Sequence, residues 1–131
     1  MLTYRQILVL SAVALALWLA ATACIRLWPQ ALQDPRMSAF SFASSIPVCW
    51  LCVIGARRWA GLKPQQLVTG TALVCAFAML IDAFALRWAH GVYADSEQLC
   101  RLGAAWLLWG YGVSVVIALL ISRTAGSVGV D

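Results

Sequence analysis

Four long apolar runs, separated by three short polar stretches, organise the chain. Residues 7–27 are uncharged until Arg26, and 38–56 carry no charge at all. Residues 67–88 are interrupted by Asp82 and Arg87, and 99–122 hold only Arg101 near their start. Each run meets the roughly 20 residues a helix needs to cross a bilayer. The links between them are 28–37 with two prolines, the basic 57–66 with Pro64, and the polar 89–98. Lipid gives an open backbone no hydrogen-bond partners, so a spanning segment is a helix or part of a closed barrel. The short alternating segments of a barrel are absent here. Links this short force neighbouring helices antiparallel. The pattern therefore predicts an all-α fold: one transmembrane domain over residues 1–131, a bundle of four helices running up-down-up-down.

Composition removes the soluble alternative. Of 131 residues, 63% are apolar and 11% charged, with a mean hydropathy of +0.87, whereas soluble domains carry about a quarter charged residues. A small soluble domain buries only about two thirds of its unfolded surface, and this much apolar area has to face lipid instead. The net charge of +4 does not indicate nucleic acid, because the basic residues sit at segment ends and form no basic face. They read as topology signals. With the N-terminus inside, Arg5, Arg57, Arg58, Lys63 and Arg123 lie in the cytoplasm, against Arg26, Arg36, Arg87 and Arg101 outside. The compact cluster at Arg57, Arg58 and Lys63 breaks the near tie, and both termini are expected in the cytoplasm.

Small residues at four-residue spacing, Ala12, Ala16 and Ala20 in the first run and Gly110 with Ser114 in the fourth, are expected to form packing seams, with a homo-oligomer face as a further use. Trp28, Trp59 and Trp88 fall at span ends, where indoles favour the headgroup level. Trp18, Trp50, Trp106 and Trp109 lie deeper and read as packing residues. Ala21-Thr22-Ala23-Cys24 is a poor lipoprotein cleavage site, and apolar sequence continues beyond it, so the first span is expected to stay.

Asp82 is the residue with most to explain. A charge well inside a span costs about 2.5 to 3.5 kcal/mol on insertion scales, so it turns inward and finds a partner. It lies roughly 9 Å from the Trp88 end of its helix. Arg26, Arg101 and a stripe of Ser38, Ser41 and Ser45 collect towards the same membrane face. They predict an outward-facing polar cluster of Asp82, Arg101, Arg26, Ser41 and Ser45, with Asp82 paired to Arg101 or, second, Arg26. Such a cluster either ties helices together or serves as an ion, proton or substrate site.

Five cysteines are present, and only Cys49 and Cys52 have a suggestive spacing. Four helices with C-x-x-C suggest a membrane thiol-quinone oxidoreductase, but there the pair sits at the outer surface, and here it falls at the inner end of the second span. Membrane cysteine otherwise acts as a small apolar filler. His90, the single histidine, reads as a solvated loop group near Asp95 and Glu97. No phosphate loop, nucleophile elbow or metalloprotease signature is present. No cofactor and no metal site are expected.

Three stretches carry a resemblance: Leu17-Trp18-Leu19-Ala20-Ala21-Thr22 with Arg26-Leu27, Met79-Leu80-Ile81-Asp82-Ala83-Phe84-Ala85-Leu86 with Val92-Tyr93, and Gly103-Ala104-Ala105-Trp106-Leu107-Leu108-Trp109-Gly110-Tyr111-Gly112. In these the chain resembles a bacterial family of small uncharacterised four-helix membrane proteins. The second span departs most from it. The resemblance implies an inner-membrane location and no assigned activity. The expected function is that of a non-enzymatic inner-membrane protein, with a small transporter or ligand-binding protein as the alternative. Its expected partners are membrane lipids and a second copy or another membrane protein, not nucleic acid.

Overall fold

The computed structural model describes residues 1–127. Four long helices, α1 (Tyr4–Leu27), α3 (Pro35–Ala60), α4 (Leu67–Trp88) and α5 (Glu97–Ser127), are joined by the short α2 (Gln30–Gln33) and by two 3₁₀ turns, Pro64–Gln66 and His90–Val92. No strand is present among the described residues. All four long helices are long and apolar enough to cross a membrane.

α1, α3 and α5 start earlier than hydropathy predicts, because capping rather than apolarity sets their ends, while α4 starts at Leu67 as expected. Thr3 caps α1 in a reciprocal capping box with Gln6. The carboxylate of Asp34 accepts from the amides of Arg36 at 2.8 Å and Met37 at 3.1 Å. Pro35 occupies the first turn of α3, where its missing N–H costs nothing. The Ser96 hydroxyl accepts from the Leu99 amide at 3.1 Å at the start of α5. Gly61, at φ 60°, closes α3 in the left-handed conformation that glycine adopts without penalty.

In the bundle α4 packs against α1 and α5, and α5 packs against α3. The α1–α3 seam is the loosest of the neighbouring pairs. The near end holds the N-terminus and the 57–66 link, and its core joins Leu10, Val53, Leu67 and Ala118. The far end, with the 28–34 and 89–96 links, has a second core of Ile25, Leu32, Tyr93, Leu99 and Leu107. Polarity is inverted relative to a soluble protein: Thr22, Ser45, Thr71 and Asp82 are buried, while Leu19, Phe40, Leu51, Leu80, Phe84 and Leu108 are exposed. Only an apolar solvent makes that distribution favourable.

The expected alanine seam is placed differently. Ala12, Ala16 and Ala20 are exposed, and Leu10, Val13, Ala14, Thr22 and Ile25 are the buried residues of α1 instead. The larger inward residues win because Gly103 leaves room on α5 for Ile25, whose Cδ1 lies 3.0 Å from where a Cβ would stand. Gly110 does lie at an interface, within 3.9 Å of the Cys49 sulfur by the same measure.

Candidate functional site: a carboxylate held by three aromatic donors beside an apolar cavity

The buried face of α4 reads Leu67, Gly70, Thr71, Cys75, Ala78, Asp82, Ala85, the three- and four-residue spacing of one helical stripe. Asp82 belongs to that stripe and is 6% exposed. Its Oδ1 accepts from the indole Nε1 of Trp18 at 2.7 Å and from the hydroxyl of Tyr93. Its Oδ2 accepts from the hydroxyl of Tyr111. α1, α5 and the link after α4 each contribute one donor. The Trp18 indole also lies 2.9 Å from the Tyr93 oxygen, and the two rings meet edge to face at 6.3 Å.

A carboxylate is an acceptor only, and three neutral donors fill it without a counter-cation. Tyr93, 1% exposed, is held as a phenol: burial, and then its bond to Asp82, push its pKa well above the ordinary tyrosine range. The donor form therefore persists through neutral pH, and the bond is given up only as pH rises beyond that range. One turn beyond Trp18 on α1, the buried Thr22 side chain also stands beside the Tyr93 hydroxyl.

This arrangement corrects the expected ion pair. Arg101 is exposed at the start of α5, ten residues or roughly 15 Å before Tyr111, which stands at the level of Asp82. Arg26 turns the other way and donates its Nη1 to the carbonyls of Gly91 and Val92. The serines form a separate seam with α2 and α5. Ser41 donates to the Ala31 carbonyl at 2.9 Å, and Ser45 donates to the Phe42 carbonyl at 2.6 Å while accepting from Trp109 Nε1 at 3.0 Å. The five expected site residues are thus split among four places. Trp18, Tyr93 and Tyr111, the partners of Asp82, are absent from the expected cluster, although a buried carboxylate needs donors and indoles and phenols are the donors that apolar spans carry. Counting residues from helix ends does not find them. Tyr111 lies about 21 Å into α5 and Asp82 about 9 Å from the end of α4, so the stagger between helices decides the match.

Beside the network lies a cavity of about 420 Å³ walled by α1, α3, α4 and α5. Trp18 and Tyr111 line it, with Ala21, Ser45, Cys49 and Cys75, and no charged side chain reaches it. Its rim includes exposed Ala20 and Cys24 of α1 and exposed Val48 of α3, so it opens through the loose α1–α3 seam. A second hollow of about 330 Å³ lies at the far end, lined by Arg26, Tyr93, Asp95 and Ser96. Tyr93 thus touches the far hollow, Trp18 and Tyr111 touch the cavity, and all three donate to Asp82.

Cys49 and Cys52 stand 14 and 17 residues into the 26-residue α3, at and just past mid-height rather than at the inner end. The Cys49 thiol donates to the Gly110 carbonyl at 3.6 Å. All five cysteines are free. Trp50 faces outward, 49% exposed, and is not a packing residue. Trp106 packs against the far-end core. His90 is exposed, and among the described residues no group of histidine, cysteine and carboxylate side chains is arranged to hold a metal.

Four apolar helices around a sealed carboxylate and a neutral cavity define a small polytopic membrane protein. The chain belongs to the family of unknown function DUF5367, whose model matches residues 31–125. That match includes Asp82, Tyr93 and Tyr111 and leaves out Trp18. No curated protein and no solved structure matches the chain.

Proposed function

We propose that this protein binds a neutral, mainly apolar small molecule in the cavity between its helices and is not an enzyme. The observation that carries this reading is the cavity itself: about 420 Å³, within the roughly 300–1,000 Å³ of small-molecule sites, free of charge and open sideways to the lipid phase. A ligand that partitions into the membrane reaches it without crossing water. The Asp82 network supports the reading as the rigid wall of the cavity, since it ties α1, α4 and α5 together where two of its donors face the ligand. The protein resides in a bacterial inner membrane with both termini in the cytoplasm, an orientation supported by the basic 57–66 link. Membrane lipids are its surroundings and the source of its ligand.

Purification in native lipid followed by mass spectrometry of bound small molecules tests this. Ala21→Trp and Gly110→Leu, which fill the cavity, are expected to lose a species that the wild type retains. Identical, lipid-only contents in all three count against ligand binding. The thiol oxidase alternative is tested in the same preparation. Alkylated protein that still retains the ligand, and shows no quinone-dependent thiol oxidation before alkylation, leaves Cys49 and Cys52 as fillers.

A further inference from the structure

We propose that the ligand is a phospholipid of the leaflet at the far end, held with one acyl chain lying lengthwise in the cavity while its other chain and its headgroup stay outside. This deepens the cavity reading above and rests on it: the cavity is neutral because only hydrocarbon enters it. The shape of the cavity points to this occupant. Its lining runs from Ala14 to Trp28 along α1 and from Ser41 to Ala56 along α3, which is roughly 21 Å of chain on either side. The volume of about 420 Å³ spread over that length gives a mean cross-section of about 20 Å². That is wide enough for one hydrocarbon chain and too narrow for two side by side.

The slot has one closed end and one open side. Thr71 and Ala56 line it towards the near end. Beneath them Leu10 and Leu62 press against Gly70, their Cδ1 atoms 3.4 and 2.6 Å from where its Cβ would stand. Both leucines are buried, so the slot is blind there. Its open side lies in the far half, at exposed Ala20 and Cys24. Trp28, 64% exposed, stands at that mouth, where an indole favours the headgroup level. A lipid of the far leaflet thus enters tail first through the α1–α3 seam, and its ester region stays level with the Trp28 indole.

The polar groups of the lining do not gather into a receptor for a compact molecule. Trp18 and Tyr111 donate to Asp82, and Ser45 and Ser114 donate to the carbonyls of Phe42 and Gly110. Trp28, Cys52 and Thr71 stand at three different levels, the far mouth, just past mid-height and towards the closed end. Compact ligands are fixed by polar groups that converge, and a hydrocarbon chain needs none. A methylene gains almost nothing by moving from lipid into the slot, since both are apolar. The chain is held because the alternatives are worse. An empty slot forfeits the dispersion contacts of its walls, and water there lacks the roughly two to four polar partners it requires in one place. The slot is also longer than the roughly 15 Å of hydrocarbon in one leaflet. An extended long chain therefore fills it, and a shorter one leaves a void at the closed end.

The test places the full chain in nanodiscs made from an equimolar mixture of saturated phosphatidylcholines of graded chain length, and native mass spectrometry reads what the released protein retains. The wild type is expected to keep one phospholipid per chain through delipidation. Longer chains should be enriched over the mixture, by up to about tenfold for each two carbons until the slot is full. Ala21→Trp and Gly110→Leu, which block the slot along its length, are expected to lose this lipid. Ala56→Leu fills the closed end and leaves the mouth open, so it is expected to keep a lipid and to shift the retained chains to shorter ones. Thr71→Leu gives the same reading if Ala56→Leu fails to accumulate. A lipid that the blocked variants lose but whose chains match the mixture, or do not shorten when the closed end is filled, overturns the lengthwise chain and leaves the cavity reading standing. So does a retained species that is not a phospholipid. Contents identical in the wild type and both blocked variants overturn both.

Discussion

Asp82 survives inside a spanning helix because its oxygens are occupied by three donors that bring no charge of their own. The expense of a buried carboxylate falls when hydrogen bonds replace its water, and the same bonds fix the rotation of three elements. Substitutions at this site should therefore rank by the donors they strand. Asp82→Asn leaves a carbonyl oxygen for two of the three, whereas Asp82→Leu strands all of them, so unfolding in a mixed-micelle denaturation series is expected to show Leu well below Asn. Trp18→Phe removes one donor and is expected to cost about 0.6–2 kcal/mol. Equal stability of the Leu and Asn variants would show that the donors are satisfied elsewhere. Tyr93 offers an independent check. The ultraviolet difference between wild type and Tyr93→Phe should show no ionisation of this phenol until well above the ordinary tyrosine pKa of about 10, with the network lost only from there upward.

At the scale of the helix, the ends obey capping chemistry and the faces obey close approach. Asp34→Ala is expected to cost about 1 kcal/mol, read as a lowered midpoint in thermal unfolding by circular dichroism. Glycines separate by environment. Gly103→Ala meets the β-branched Ile25 at 3.0 and 3.3 Å, a stiff neighbour, and is expected to destabilise by about 1–3 kcal/mol. Gly112→Ala meets nothing within 4 Å and is expected to be neutral or to stabilise by up to about 1 kcal/mol through helix propensity. A reversed order in the same measurement would place the α1–α5 contact elsewhere. The existence and type of these helices are legible in the residues, since long apolar runs admit little else in lipid. Their starts are also legible in retrospect from Thr3 with Gln6, Asp34 with Pro35, and Ser96. Which face turns inward was not, because α1 is apolar nearly all round and its alanine stripe is no less suited to packing than the stripe through Leu10, Val13 and Ala14.

For the whole molecule, the decisive property is uneven closure. α4 and α5 hold their neighbours tightly, while α1 and α3 leave a cavity open between them. Orientation belongs to this scale as well. Reporter fusions at either terminus are expected to be active only in the cytoplasmic form, and replacing Arg57, Arg58 and Lys63 with glutamine is expected to mix or invert the topology. That result follows if the 57–66 link decides a count of five basic residues against four. Fusions that report an outside location in the unmodified chain would overturn the assignment.

By itself, the order of residues determined that the chain forms four antiparallel helices long and apolar enough to cross a membrane, and that Asp82 must be sheltered among other groups. Both follow from local physics: the length of apolar runs, the shortness of the links, and the price of charge in hydrocarbon. Only the tertiary structure decided that Asp82 is sheltered by Trp18, Tyr93 and Tyr111 rather than by arginine, and that the serines line a different seam. Partner choice depends on the stagger and rotation of helices against one another. Those are set by where an Ile25 fits a Gly103, a relation between residues 78 positions apart that no run of hydropathy contains.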